Sequence, residues 1–211
     1  MDPDLYAYPE TDRPWLRTNF VSTVDGAAHD VSGVTASLGG DADHEVFQLL
    51  RRLADVVMVG AGTARIEKYR STSTTLALVS RRLDIPERLA GPGLIVITTT
   101  DASSDRVEAL KAAGVDVMAY GELEIDWSSV LDDFDARGWR RILCEGGPSL
   151  HGDLVTHDLV DEVCLTIAPM LTSGDAPRIA HSRLPVAHGM TLGHAVPAGD
   201  VLLTRWVRNR T

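Results

Sequence analysis

The sequence is short of cysteine, of long apolar runs and of basic residues, and each shortage removes a class of protein. Two cysteines, Cys144 and Cys164, cannot make a disulfide scaffold. Both sit in apolar, strand-like runs and suit a reduced, cytoplasmic interior. Neither has a cysteine or histidine at ligand spacing, and His151 and His157, six apart, point to different sides of a helix, so no metal site is expected. Apolar runs such as Leu94 to Ile97 are far too short to span a bilayer. Met1-Asp2-Pro3-Asp4 is acidic and no apolar segment follows it, so no secretory leader is read. Thirty Asp/Glu against twenty Lys/Arg give a net charge of −10, which argues against a nucleic-acid binder. Repeats and low-complexity segments are absent as well. What remains is ordinary globular material: 211 residues, 44% hydrophobic and 24% charged, read as a single domain over 1–211 with residues 1–14 as an N-terminal extension.

Charge is unevenly spread. Residues 101–163 hold fifteen Asp/Glu and five Lys/Arg and carry the whole −10, whereas residues 51–90 hold eight Lys/Arg and four Asp/Glu. A basic stretch in an acidic chain is either a solvated helix surface or a pocket for a phosphate-bearing small molecule.

Apolar runs of strand length alternate with helical patterns, as in α/β domains. Strands are expected over Trp15 to Ser22, Val56 to Val59, Leu76 to Val79, Leu94 to Thr98, Val115 to Tyr120, Arg140 to Cys144 and Val163 to Ala168. Helices are expected over Asp43 to Ala54 (with Asp41 or Asp43 as N-cap), Ser104 to Ala113 and Ser128 to Arg137, and another begins at Pro148. Met190 to Val196 and Val201 to Arg208 read as a closing antiparallel hairpin. The fold expected is a mostly parallel sheet with an antiparallel C-terminal edge and helices on both faces.

Two glycine turns follow buried strands, which is where open α/β sheets bind ligands. Gly60-Ala61-Gly62-Thr63 lets backbone approach a phosphate, but Arg65 stands where a dinucleotide fingerprint has its third glycine. Glu145-Gly146-Gly147-Pro148 repeats the strand–glycine–helix pattern. No Gly-x-Ser-x-Gly elbow occurs, and no cysteine has a neighbouring histidine, so hydrolase chemistry is poorly supported.

Taken together, Asn19-Phe20-Val21-Ser22-Thr23-Val24-Asp25-Gly26, Leu50-Arg51-Arg52-Leu53-Ala54-Asp55, Val59-Gly60-Ala61-Gly62-Thr63, Cys144-Glu145-Gly146-Gly147-Pro148 and Leu159-Val160-Asp161-Glu162 through Ala168-Pro169 follow a recognisable order. Over roughly residues 15–207 the chain resembles the pyrimidine reductase domain of bacterial riboflavin biosynthesis, in the dihydrofolate-reductase-like superfamily. The resemblance implies an NADPH-dependent reductase converting a ribosylamino-pyrimidine phosphate into its ribitylamino product, and a homodimer. It implies cofactor contacts at Gly60, Ala61, Gly62, Thr63, Glu145, Gly146, Gly147 and Leu150, with Ser80 and Arg81 (beside Arg82) at the adenosine 2′-phosphate. Substrate contacts are implied at Asn19, Ser22, Arg51 and Glu67, and catalytic roles at Glu67 and Asp25. The chain departs from the family where a Lys follows Asp-Gly, having Ala27, and where an acidic pair precedes Pro, having Glu67-Lys68-Tyr69-Arg70. Arg51 is then the main candidate to meet a substrate phosphate. Two other readings stay open: a reductase of folates or pterins with the same hydride chemistry, and an NADPH-binding protein without turnover.

Overall fold

A computed structural model describes residues 1–31, 33–35, 38–70 and 73–210. Its frame is a nine-stranded sheet of β1 (Trp15–Thr23), β2 (Val56–Gly60), β3 (Thr75–Val79), β4 (Leu94–Thr98), β5 (Asp116–Ala119), β6 (Arg141–Cys144), β7 (Glu162–Ala168), β8 (Met190–Ala198) and β9 (Val201–Arg208). Across the sheet the order is β5-β4-β3-β2-β6-β1-β7-β9-β8. The first seven strands run parallel, while β9 is antiparallel to both β7 and β8. The expected mostly parallel sheet with an antiparallel edge is therefore the one observed.

The continuous apolar runs explain the layering. Side chains alternate across a strand, so a strand covered on both faces must be apolar throughout. Val57 and Val59 of β2 enter one core with α1 (Gly40–Leu53), α2 (Ala61–Ile66) and α3 (Ser104–Ala112). Val56 and Met58 enter the other with α4 (Trp127–Ala136) and α5 (Pro148–Thr156). The cysteines divide the same way: Cys164 lies in the first core and Cys144 in the second, so they cannot bridge each other. No helix among the described residues is long and apolar enough to cross a membrane.

Two helix starts differ from expectation. Gly39 is the N-cap of α1 and no side chain caps that end; Asp41 and Asp43 both fall inside the first turn. A β-carbon on Gly39 would lie 2.1 Å from Asp43 Oδ2, so the packed Asp43 side chain requires glycine there. Helix α4 begins one residue early, at Trp127, because Asp126 accepts hydrogen bonds from the Ser128 and Ser129 amides and becomes the cap.

Residues 1–14 form a packed strap. A short 3-10 turn, Pro3–Tyr6, brings Tyr6 to 1% exposure with its ring edge-on to His194 at 4.8 Å. Tyr8 covers the fully buried Arg17, its ring 3.8 Å from the guanidinium. Arg17 donates to Glu162 at 2.6 Å, and Glu162 also takes two hydrogen bonds from Arg205, at 2.8 and 2.9 Å.

Candidate functional site

The carboxyl ends of β1, β2 and β6 meet at one edge of the sheet, and the two glycine turns interlock there. The Gly60 amide donates to the Gly146 carbonyl at 2.7 Å. Gly146 has φ +80° and is joined to Gly147 by a cis peptide bond. A β-carbon at Gly146 would sit 2.7 Å from the Phe20 ring, and one at Gly147 2.5 Å from Thr63 Oγ1. Close approach of three chain segments, rather than flexibility, thus demands both glycines. Gly62 is different: a β-carbon there would point into open space.

Beside this cradle lies a cavity of about 190 Å³, lined by Asn19, Phe20 and Val21 of β1, Asp43 and Phe47 of α1, Thr63 and Ile66 of α2, and Glu67, Tyr69, Glu145 and Gly147, with His29, Thr35 and Pro177 on its outer side. Three carboxylates face it. Glu145 takes two hydrogen bonds from Arg51, each 2.7 Å, and a third of 2.7 Å from the Tyr69 hydroxyl. Burial and Glu145 together push the Tyr69 phenol well above its ordinary pKa. Glu67 Oε1 takes the Thr35 amide at 3.1 Å and its hydroxyl at 3.0 Å. Burial raises the Asp43 carboxyl above the usual carboxylate range, partly offset by the nearby Thr166 side chain. Among the described lining residues there is no Lys or Arg.

Of the residues singled out from sequence, Asn19, Thr63, Glu67, Glu145 and Gly147 line this cavity. Gly60, Ala61, Gly62 and Gly146 form the adjoining turns. Arg51 does not line the cavity; its guanidinium stacks on Phe47 at 4.2 Å and donates twice to Glu145. Asp25 lies outside the cavity, exposed, where the Thr23 hydroxyl and then the Ser173 and Thr172 amides hold its carboxyl below the usual range. Its geometry is that of a turn support. Ser22 is buried in β1 and does not line the cavity, and Leu150 of α5 packs against the core that α4 and α5 cover. Ser80 follows β3 with its amide donating to the Ile97 carbonyl, and Arg81 lines a second cavity of about 460 Å³ with Arg82, Thr99, Ser103 and Arg106.

Asp43, Phe47 and Tyr69 were not singled out. A signal existed for the first two: Asp43, Phe47 and Arg51 are spaced by four and share one face of α1. Tyr69 turns back to Glu145 after Lys68, whose φ of +52° is left-handed, and nothing in the local sequence announces that reversal.

A mostly parallel sheet of this order, with its cavity at the carboxyl edge, is a dihydrofolate-reductase-like fold. Dihydrofolate reductase from Enterococcus faecalis superposes with a TM-score of 0.52 at 12% identity, covering 93% of this chain and 97% of that one. The chain belongs to the RibD C-terminal domain family, whose profile matches residues 14–200. It is 25% identical over 189 residues to the 2,5-diamino-6-ribosylamino-4(3H)-pyrimidinone 5′-phosphate reductase of Archaeoglobus fulgidus, covering 79% of this chain and 86% of the relative. A pyrimidine reductase-like protein from Corynebacterium diphtheriae superposes with a TM-score of 0.86 at 24% identity, covering 94% of this chain and 93% of that one.

Proposed function

We propose that this chain is an NADPH-dependent cytoplasmic reductase of a ribosylamino-pyrimidine phosphate, working as a homodimer of single-domain subunits. The observation that carries the reading is the cradle of interlocked glycines at the rim of a carboxylate-lined cavity, in a family whose relatives are named pyrimidine reductases. The residues present fit a dinucleotide. Ala61, Gly62 and Thr63 would meet its pyrophosphate through backbone amides, with the open space at Gly62 left for it and Gly60 held to the Gly146 carbonyl. Arg81, Arg82 and Arg106 would meet a 2′-phosphate in the second cavity. Bound there, the reduced nicotinamide supplies a hydride. Asn19 and Glu67 would orient the heterocycle, and the Arg51–Glu145–Tyr69 group would wall off water beside the reacting carbon.

A second reading, a pterin or folate substrate, gains support from the lack of Lys or Arg among the described cavity-lining residues. A phosphate would have to be met at the rim, where Lys68 and Arg70 are exposed. The test follows NADPH oxidation at 340 nm with 2,5-diamino-6-ribosylamino-4(3H)-pyrimidinone 5′-phosphate and, separately, dihydrofolate. Faster turnover of the pyrimidine is expected; turnover of dihydrofolate alone would transfer the assignment to the second reading. Arg81→Ala is expected to weaken NADPH binding roughly ten- to hundred-fold and to leave NADH binding unchanged. Equal affinity of the wild type for both nucleotides would refute the 2′-phosphate contact.

A further inference from the structure

We propose that Tyr69 is a positioning residue for this reduction: its hydroxyl fixes the Glu145 carboxylate and leaves that group one open acceptor for the heterocycle. The inference rests on the reductase reading above. Glu145 and Tyr69 both line the cavity, whereas Arg51 does not. The three hydrogen bonds on Glu145 are unevenly divided between its oxygens. Oε1 takes Arg51 Nε, while Oε2 takes both Arg51 Nη2 and the Tyr69 hydroxyl, each at 2.7 Å. An ionised carboxylate has about four acceptor positions, two on each oxygen. Oε2 is therefore full. The one position left, on Oε1, has no partner among the described residues.

The tyrosine's position is built. It reaches Glu145 across 76 residues of sequence because the chain after α2 reverses at Lys68, with φ +52°. That reversal is pinned at both ends of the Tyr69 backbone. Its amide donates to the Ala64 carbonyl at 2.9 Å, and its carbonyl takes Arg88 Nε at 2.8 Å. Arg88 Nη2 donates to the same Ala64 carbonyl, also at 2.8 Å. The Tyr69 ring lies 5.1 Å from the Arg51 guanidinium, which has Phe47 at 4.2 Å. A proline here, as in the family pattern, has no hydroxyl to give, so this restraint belongs to the present chain. Hydride transfer depends steeply on the placement of the accepting carbon. A heterocycle whose N–H donates to Glu145 takes its place from that carboxylate, and with Oε2 filled it has one seat there instead of two. Replacing Tyr69 by phenylalanine keeps the ring and removes the hydroxyl alone, which reopens Oε2 and adds a second, misaligned seat.

The test uses the full chain with NADPH and whichever it reduces of 2,5-diamino-6-ribosylamino-4(3H)-pyrimidinone 5′-phosphate and dihydrofolate. It measures kcat, and separately the Kd of that substrate by titration into the enzyme holding NADP⁺. Tyr69→Phe is expected to lose roughly ten- to hundred-fold in kcat. Its substrate Kd is expected to stay within about threefold of wild type, because the substitution frees an acceptor and removes none. In a Glu145→Gln background the same substitution is expected to cost less than about threefold in kcat, since the group through which Tyr69 acts has changed. Urea midpoints show that each variant is folded; if Glu145→Gln unfolds, the contrast between kcat and Kd decides alone. A rise in Kd as large as the fall in kcat, or an equal cost of Tyr69→Phe in both backgrounds, would overturn the proposal. Wild type that oxidises NADPH with neither substrate would overturn the reductase reading, and this inference with it. A Tyr69→Phe enzyme as fast as an active wild type overturns the inference alone.

Discussion

His151 shows how a single buried group couples folding to pH. Its ring stacks on Phe20 at 4.6 Å, Nδ1 donates to the Ile179 carbonyl at 2.9 Å, and burial lowers its pKa to about 4. The unfolded chain protonates this histidine near pH 6.5, whereas the folded chain resists until about pH 4. Between those values the unfolded state binds more protons, so stability falls as pH falls. By pH 5 the loss from this one group is about 2 kcal/mol. Urea unfolding at pH 7 and pH 5 measures it, and His151→Gln is expected to shrink the difference by roughly that amount. An undiminished difference would assign the acid sensitivity elsewhere.

At the scale of elements, the N-terminal strap behaves as part of the core. Tyr6 is buried against His194, and Tyr8 roofs the Arg17 guanidinium, whose partner Glu162 is itself fully buried. Removing residues 1–9 would expose that ion pair to competition from water and strip apolar area from β9 and α1. Loss of one buried aromatic side chain costs about 3–5 kcal/mol, so the truncated chain is expected to unfold at distinctly lower urea than the full chain. A truncated chain with an unchanged midpoint would show the strap to be decoration. The sequence reading recognised residues 1–14 as an extension but assigned it no task, because the partners of Tyr6 and Tyr8 are scattered along the chain.

Across the whole molecule, what was legible in the sequence is what depends on neighbours along the chain. Val56 to Val59 and Leu94 to Ile97 are apolar without alternation, so they had to be strands covered on both sides, and they are. The two glycine turns could be read for the same local reason. Arg51 could not: its partner Glu145 is 94 residues away and comes within reach because β6 is inserted between β2 and β1. That strand order is set by the packing of both layers together. No local pattern encodes it, nor therefore the pairing of that guanidinium with Glu145. Asp43 was misread as a cap for a related reason, since its spacing to Phe47 gained meaning only when the cavity was seen.

The placement of the two cysteines, one in each core, equips the molecule with its own pair of internal reporters. A thiol shielded from solvent reacts with an alkylating reagent only during moments when its surroundings part. Burial pushes the Cys144 thiol up to about 12 and the Cys164 thiol higher still, so neither is reactive while enclosed. Timed iodoacetamide labelling followed by peptide mass analysis therefore times the parting of each layer separately, with no engineered probe. Saturating NADPH, which in the proposed site would lie against the turn before α2, is expected to slow labelling of Cys164 more than that of Cys144. Equal slowing of the two would mean that the layers separate from the sheet in one concerted event.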